Sequence, residues 1–335
     1  MSSKTISGFS KKSKSQKIDW LVAQYLGNAP EAKDLLTTYW HPDHDRQQKH
    51  DEFIENTLSN FYMPYAVAPN FMINGAVLAL PMVIEESSVV AAASYAAKFW
   101  MQRGGFSAAV ISTTKSGQIH LIYSGAAKDL MAYFERIRPA LIDSIELLSK
   151  SMKARGGGLK DLVFESRTKD LDHYYLIEAT FDTKDAMGAN FINSCLEQMA
   201  ATFTAGTQGA AEFLEAQVVP EVVMSILSNY VPECLVRAQV SCPVTALAQE
   251  GLTGQEFAEK FVQAIRIAET EPRRAVTHNK GIMNGVDALV LATGNDFRAV
   301  EAGVHAYAAH RGHYQSLSHA SIQDGQFTFW LELPL

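Results

Sequence analysis

Three cysteines in 335 residues are too few for a disulfide framework, and Cys195, Cys234 and Cys242 match no Cys-x-x-Cys spacing. Neither a zinc knuckle nor a dithiol redox pair is written into the chain, and free thiols in a reducing cytosol are the simplest reading. No uninterrupted apolar run is long enough to span a bilayer. The opening stretch "MSSKTISGFSKKSKSQKIDW" is basic and polar without an apolar centre, so it does not read as a secretory signal. A strong charge of one sign is also missing. With 29 basic against 36 acidic residues the net charge is -7, which gives no general footprint for nucleic acid or an anionic membrane. A small anionic ligand can still find a local basic site. There is no G-x-G-x-x-G between a strand and a helix and no P-loop. His41, His44 and His50, like His305, His310 and His313, form no coherent metal ligand set, so no metal is expected.

What is present is a globular profile: 47% hydrophobic and 19% charged residues, enough chain to bury a sizeable core. Ile18 to Leu26, Glu31 to Tyr39 and "HDEFIENTLSNF" read as short helices. "NFMINGAVLALPMVI" reads as a hairpin turning at Asn74-Gly75, and "EESSVVAAASYAAKFWMQRGG" as a small-residue helix suited to close packing. From Phe106 the order is strand, turn at Lys115-Ser116-Gly117, strand, a long helix over Ala126 to Ala154, two strands, and the helix "AMGANFINSCLEQMAATF". The fold class expected is α+β, a large mixed helix/sheet domain (1–106 and 219–335) interrupted by a smaller ferredoxin-like domain (107–218). Beyond it lie a strand, "CLVRAQVSCPV", and a helix opened by the capping box Thr253-Gly254-Gln255-Glu256. After the helix "DFRAVEAGVHAYAAHRG" comes a hairpin at Asp324-Gly325. The chain stops on the apolar run "FWLELPL", which sets the expectation of further sequence beyond it.

Four stretches hold candidate chemistry. In "RAVTHNKGIMNGVDALVLATGND", Lys280 sits among Arg274, Thr277, His278, Asn279, Asn284 and Asn295, with Gly281, Gly285 and Gly294 permitting close backbone approach to a ligand. Asn279-Lys280-Gly281 reads either as a surface turn with a solvated ammonium or as a lysine held by Asp296 to stabilise an oxyanion on a carbonyl substrate. Asp296 is equally a helix cap. Glu85-Glu86 before Ser87-Ser88 are either acids favoured at a helix N-terminus or a proton relay beside the lysine. In "DTKDAMGANFINSCLE", Gly188 falls in the first turn of a helix with Asp185 as its cap, where a pyrophosphate can meet free N–H groups. Gly156-Gly157-Gly158 before Asp161 is either a helix stop or the approach to an acid that hydrogen-bonds a ribose.

Taken together, "ENTLSNFYMPYAVAPNFMINGAVLALPMVIEESSVVAAASYAAKF", "DAMGANFINSCLE" and "RRAVTHNKGIMNGVDALVLATGNDFRAVEAGVHAYAA" closely resemble the signature stretches of 3-hydroxy-3-methylglutaryl-coenzyme A (HMG-CoA) reductases. The soluble, bacterial-type class II branch fits best, and the resemblance runs from about Trp20 to the end of the chain. It implies two hydride transfers from NADH or NADPH that convert the thioester to mevalonate through a hemithioacetal and mevaldehyde. By the same resemblance Glu86, Lys280 and Asp296 are catalytic, and Glu55, Ser88, Arg274 and Asn284 contact substrate. Asp185, Met187, Gly188 and Asn190 belong to the dinucleotide motif, and Asp161 is similar to the acid that favours NADH by repelling a 2'-phosphate. The implied assembly is a cytoplasmic homodimer with interfacial active sites, binding HMG-CoA, mevalonate and coenzyme A, with no nucleic acid or membrane partner.

One departure from the family pattern bears on activity. Members continue past the strand matched by "FWLELPL" into a mobile flap whose GHM-type histidine protonates the departing coenzyme A thiolate, and none of the ten histidines here lies in such a motif. The expectation is therefore a reductase core, with a binding or assembly fragment of a split enzyme as the alternative.

Overall fold

The computed structural model describes residues 4–215 and 217–335 and divides into two compact units, Met1–Pro64 and Tyr65–Leu335. The first unit is helical. Helix α1 (Lys14–Tyr25) starts at a capping box in which the Ser13 hydroxyl accepts from the Gln16 N–H, and α2 (Pro30–Thr38) starts on a proline at its first position. Helix α3 is His44–Asp51, capped by Asp43. The helix expected over "HDEFIENTLSNF" does not form, because α3 ends where it was to begin. Asn56 is left-handed (φ 59°). The Thr57, Ser59 and Asn60 side chains bond the carbonyls of Ile54, Leu36 and Tyr39, offering the backbone a competing set of partners. Lys14 ties α1 to α3 through Asp51 at 2.7 Å.

The second unit opens with the expected hairpin, β1 (Tyr65–Ile73) and β2 (Ala76–Val83). Both turn residues have positive φ, 49° at Asn74 and 83° at Gly75, the requirement of a type I' turn. The alanine-rich α4 (Val89–Met101) follows, then β3 (Ser107–Val110). Next come β4 (Thr114–Ile122), α5 (Ala127–Ser144), α6 (Glu146–Ala154), β5 (Gly158–Ser166), β6 (Tyr174–Asp182), α7 (Ala189–Thr207) and β7 (Glu221–Leu227). The chain closes with β8 (Leu235–Pro243), α8 (Gly254–Thr270), α9 (Pro272–Ala292), α10 (Phe297–Ala308), β9 (Ser318–Gln323) and β10 (Gln326–Pro334).

Two four-stranded antiparallel sheets result, β5-β6-β4-β7 and β3-β8-β10-β9. The first is built from β4, two helices in tandem, β5, β6, α7 and β7, the β-α-β-β-α-β order of a ferredoxin-like unit. Its edges differ from the sequence reading. Strand β3, placed in the insertion, pairs with β8 (Ser107 opposite Gln239, Val110 opposite Val236), whereas β7, placed beyond the insertion, pairs with β4. Lys115-Ser116-Gly117 is no turn but lies inside β4. Gly117 marks a close approach instead: a Cβ there would come within 2.5 Å of Leu196 Cδ1 on α7.

The core of this ferredoxin-like part lies between its sheet and its helices. Leu130, Tyr133, Phe134, Ile137 and Leu141 recur at helical spacing along α5 and meet Ile119 and Leu121 of β4, Ile177 and Phe181 of β6, and Leu196, Met199 and Phe203 of α7. Each such side chain stabilises by about 1.5–3 kcal/mol on burial. The long helix expected over 126–154 breaks at Ile145, between α5 and α6. Against the β3-β8-β10-β9 sheet Trp100 of α4 stacks on Phe327 among Val240, Val262 and Leu247.

Candidate active site and dinucleotide cleft

Helix α9 carries the first cluster. Pro272 occupies its first position, and the Glu271 carboxylate accepts from the Arg274 N–H at 2.7 Å, which fixes where it begins. Asn279-Lys280-Gly281 is therefore mid-helix and not a turn: the two glycines of this stretch were too few to outweigh a helix fixed at its start and packed along one side. Ala275, Asn279, Met283 and Ala288 face inward. Asn279 is fully buried; its amide donates to Gln315 O at 2.8 Å and accepts from the Leu317 N–H at 3.0 Å. His278 Nε2 lies 2.7 Å from Ser318 Oγ, and burial, then the Arg274 charge, lowers its pKa. These two residues, read as facing a ligand, instead lock the roll of the helix.

The opposite side of α9 is thereby presented outward with Lys280 and, one turn on, Asn284. Lys280 Nζ donates to Glu86 Oε2 at 2.7 Å, and Asn284 Nδ2 donates to the same oxygen at 3.3 Å. Glu86 comes from the link between β2 and α4, positioned by the packing of Met82 and Ala68 on Ala288 of α9. The ammonium's hydrogen bond and charge hold the Glu86 carboxyl below its usual pKa. Both side chains remain open, 60% and 48% exposed for Lys280 and Glu86. Ser88, next in the link, caps α4 in a left-handed conformation (φ 73°) with no side-chain cap bond, a local strain of the sort functional sites retain. Gly281 and Gly285 have helical backbone and open space where a Cβ would stand.

Asp296 belongs to a different cluster from the one expected. It caps α10, accepting from the Arg298 and Ala299 N–H groups, and its ion pair is with Arg298 at 3.2 Å, which lowers its pKa. Lys280 is not its partner: α9 runs on from Lys280 to Ala292, roughly 18 Å along the axis, before the chain turns to Asp296.

Asp296 instead lines a cavity of about 370 Å3 together with Asn295, Lys115, Lys184, Asp185 and Met187. The turn 183–188 is its distinctive wall. Gly188 has φ 80° and is itself the N-cap of α7, with no side chain capping it. Asp185 is thus not the cap as expected, and the first-turn N–H groups are left for an outside acceptor. Only glycine fits at 188, since a Cβ would meet Thr183 Cγ2 at 2.5 Å. The Thr183 hydroxyl is buried and unpartnered. Asn190 stands in the first turn of α7.

The turn is held at its base by Asp182, which accepts from Thr113 Oγ1 (2.6 Å), the Lys184 N–H (3.0 Å) and Lys184 Nζ (2.8 Å). These bonds, Lys184 first, lower the Asp182 pKa to about 2. Lys115 Nζ donates to Met187 O at 3.1 Å. Sequence reasoning missed both anchors, Asp182 and Lys115. Asp182 two residues before Lys184 carries an Asx-turn signal; Lys115 gave none, because its partner is 72 residues away.

The remaining sequence candidates are placed as follows. Arg274 is exposed in the first turn of α9. Asp161 on β5 is paired with Arg138 of α5 at 2.9 Å and also accepts from the Leu162 N–H. Glu55 sits in an exposed turn of the first unit. Among the described residues no cluster of three or more His, Cys, Asp or Glu could hold a metal, and no helix is long and apolar enough to cross a membrane.

Residues 21–335 match the sequence model of the family described as hydroxymethylglutaryl-coenzyme A reductase. The chain belongs to that family. The HMG-CoA reductase of Archaeoglobus fulgidus is 36% identical over 292 residues, which is 85% of this chain and 62% of that protein. A probable HMG-CoA reductase of Borreliella burgdorferi is 34% identical over 286 residues, again 62% of its own length. This chain therefore spans under two thirds of these curated HMG-CoA reductases. A solved HMG-CoA reductase from Streptococcus pneumoniae superposes with a TM-score of 0.75 at 33% identity, covering 98% of this chain and 75% of that one. A structure of the class II enzyme from the same organism, described as bound to NADPH in open conformations, has a TM-score of 0.74 at 34% identity and 86% coverage.

Proposed function

We propose that this chain is the catalytic body of a class II HMG-CoA reductase, and that the Lys280–Glu86–Asn284 cluster is where the substrate carbonyl is polarised. The Lys280–Glu86 ion pair carries this reading. It joins residues far apart in sequence, stands open to solvent, and orients an ammonium without burying it. Glu86 accepts from Lys280 Nζ as a carboxylate whose pKa that contact lowers. The lysine ammonium stabilises oxyanion character on the thioester and then the aldehyde oxygen; Glu86 orients it and takes part in proton supply. Arg274 and Ser88 are proposed to contact substrate together with Asn284, and Glu55 is proposed as a further contact.

The cleft residues fit a nicotinamide dinucleotide, which supplies hydride when bound. The uncapped α7 start, the Gly188 position that tolerates no Cβ and the unpartnered Thr183 hydroxyl support this. Asp185, Met187, Gly188 and Asn190 would hold it, and Asp296, which lines the same cavity, is proposed as a catalytic residue. Asp161 would act on cofactor choice, and its pairing with Arg138 weakens the repulsion of a 2'-phosphate, so both NADH and NADPH are compatible. A cytoplasmic homodimer with interfacial active sites completes the proposal: Lys280 and Asp296 occupy separate clusters, and a second copy is one way of closing the open face of α9.

The experiment follows nicotinamide absorbance with NADH or NADPH and either HMG-CoA or free mevaldehyde, with Lys280→Ala as control. Turnover of mevaldehyde that disappears in Lys280→Ala supports the reading. Undiminished turnover in the variant, or none by the folded wild-type chain with either substrate, overturns it for this chain.

A further inference from the structure

We propose that Lys115 is a positioning residue for the dinucleotide turn, holding its outer end as Asp182 holds its base. The inference rests on the reading of the cleft as a dinucleotide site. Turn 183–188 leaves β6 and reverses into α7 through two left-handed residues, Lys184 (φ 52°) and Gly188 (φ 80°). At its base Asp182 makes the three bonds described above. At its far end the Met187 carbonyl, immediately before Gly188, would otherwise meet only solvent or cleft. Lys115 reaches it from the neighbouring strand, donating at 3.1 Å, and Lys115 itself lines the cavity.

Strand β4 gives this lysine a fixed origin. Thr114 pairs with Asp182 and Lys115 with Phe181, so the residue anchoring the base of the turn and the one holding its end are consecutive registers of one ladder. Gly117, two residues on, lets α7 press directly on β4, since any Cβ would strike Leu196 and Ile192 of that helix. Lys115 therefore starts a short, defined distance from the N-terminus of α7. Fixing the Met187 carbonyl fixes the peptide plane that presents the Gly188 N–H, and so the orientation of the uncapped helix start toward the cleft. The hydrogen bond is what matters here; the charge is secondary.

The test uses the whole chain with Lys115→Ala, Lys115→Gln and Lys115→Arg, read by fluorescence titration of NADH and NADPH and by amide hydrogen exchange. Lys115→Ala is expected to weaken dinucleotide binding about tenfold, the loss of roughly one charge-assisted hydrogen bond in a partly exposed setting. Where turnover is measurable, KM for the cofactor rises and kcat stays within about threefold, the pattern of lost binding orientation. Exchange at 183–190 quickens without a global loss of protection. Lys115→Gln retains a donor and restores binding to within about threefold of wild type.

Two results would overturn the inference. One is Lys115→Ala binding and exchanging like wild type. The other is Lys115→Gln as weak as Lys115→Ala with a shallower salt dependence, which would make Lys115 a direct phosphate ligand. If the wild-type chain binds no dinucleotide, the reading of the cleft fails, yet exchange at 183–190 still decides whether Lys115 holds the turn.

Discussion

Gly281 and Gly285 present the sharpest contradiction between stability and use. Both lie within the 21-residue α9, on or beside its outward side, with no atom within 4 Å of where a Cβ would stand. Glycine in a helix interior costs about 0.8–1 kcal/mol relative to alanine, and no neighbour in the chain repays it. Gly281→Ala and Gly285→Ala should therefore each stabilise by roughly 0.5–1 kcal/mol, and the pair, four residues apart with no shared partner, by about 1–2 kcal/mol. In a chain of this size that is a rise of a few degrees, roughly 2–5 °C, in the melting midpoint. The assay is thermal or urea denaturation of both single variants and the double variant, run beside steady-state turnover. More stability with less activity would mean that substrate or a second copy approaches the bare backbone next to Lys280. Destabilisation by either alanine would refute the reasoning, since it requires a neighbour that the folded chain does not contain.

Gly188→Ala should act in the opposite direction. The left-handed backbone and the 2.5 Å approach to Thr183 Cγ2 combine to about 2–3 kcal/mol of strain, seen as a lower melting midpoint and as lost dinucleotide binding; wild-type behaviour in both would disprove the cradle. Asp287 on α9 is half-buried, with its Oδ1 atom buried and unpartnered, and burial, then the neighbouring Glu301 carboxyl, raises its pKa to about 7. Between pH 4 and that value the folded state keeps a proton the unfolded state has released, so stability falls as pH rises and the penalty is complete above the folded pKa. Asp287→Asn should remove this decline, leaving the variant roughly 2 kcal/mol more stable than wild type at pH 8; equal melting midpoints there would count against the raised pKa. For Glu86 the sign is reversed: its depressed pKa means the Lys280 pair is intact above the ordinary carboxylate range and is lost as pH falls through the lowered value. Activity should thus persist into mild acid, and an acid limb near neutrality in kcat/KM would contradict the assignment.

The legible parts of the fold were those fixed by local chemistry. Asn74-Gly75 demands a turn of one type, and Thr253 opens α8 through its capping box with Glu256. The misreadings arose where one residue type serves two physical ends. Glycine was read as chain reversal at Gly117, and at Gly281 as either a turn or a close approach, but at the first it permits a helix to touch a strand and at the second it leaves a helix face bare. Polar residues around Lys280 were read as a ring about a ligand, yet a helix points successive residues in different directions, so Asn279 satisfies buried backbone while Lys280 meets Glu86. The ionic partner of Lys280 could not be chosen between Glu86 and Asp296 from sequence, because that choice depends on where β2 ends relative to α9. Lys115 was invisible for the same reason.

The pairing of β3 with β8 has a consequence for how the chain could be cut and rejoined. Val110 and Val236 are cross-strand partners, and the Ile111 N–H donates to Leu235 O, so everything between them, sheet and helices included, hangs from the β3-β8-β10-β9 sheet as the loop of one antiparallel hairpin. Loop closure depends only weakly on loop length. A few turn residues joining Val110 to Leu235 would therefore leave the ladder of that sheet intact, and the excised segment, whose first and last strands lie side by side, would carry both of its own ends at one edge.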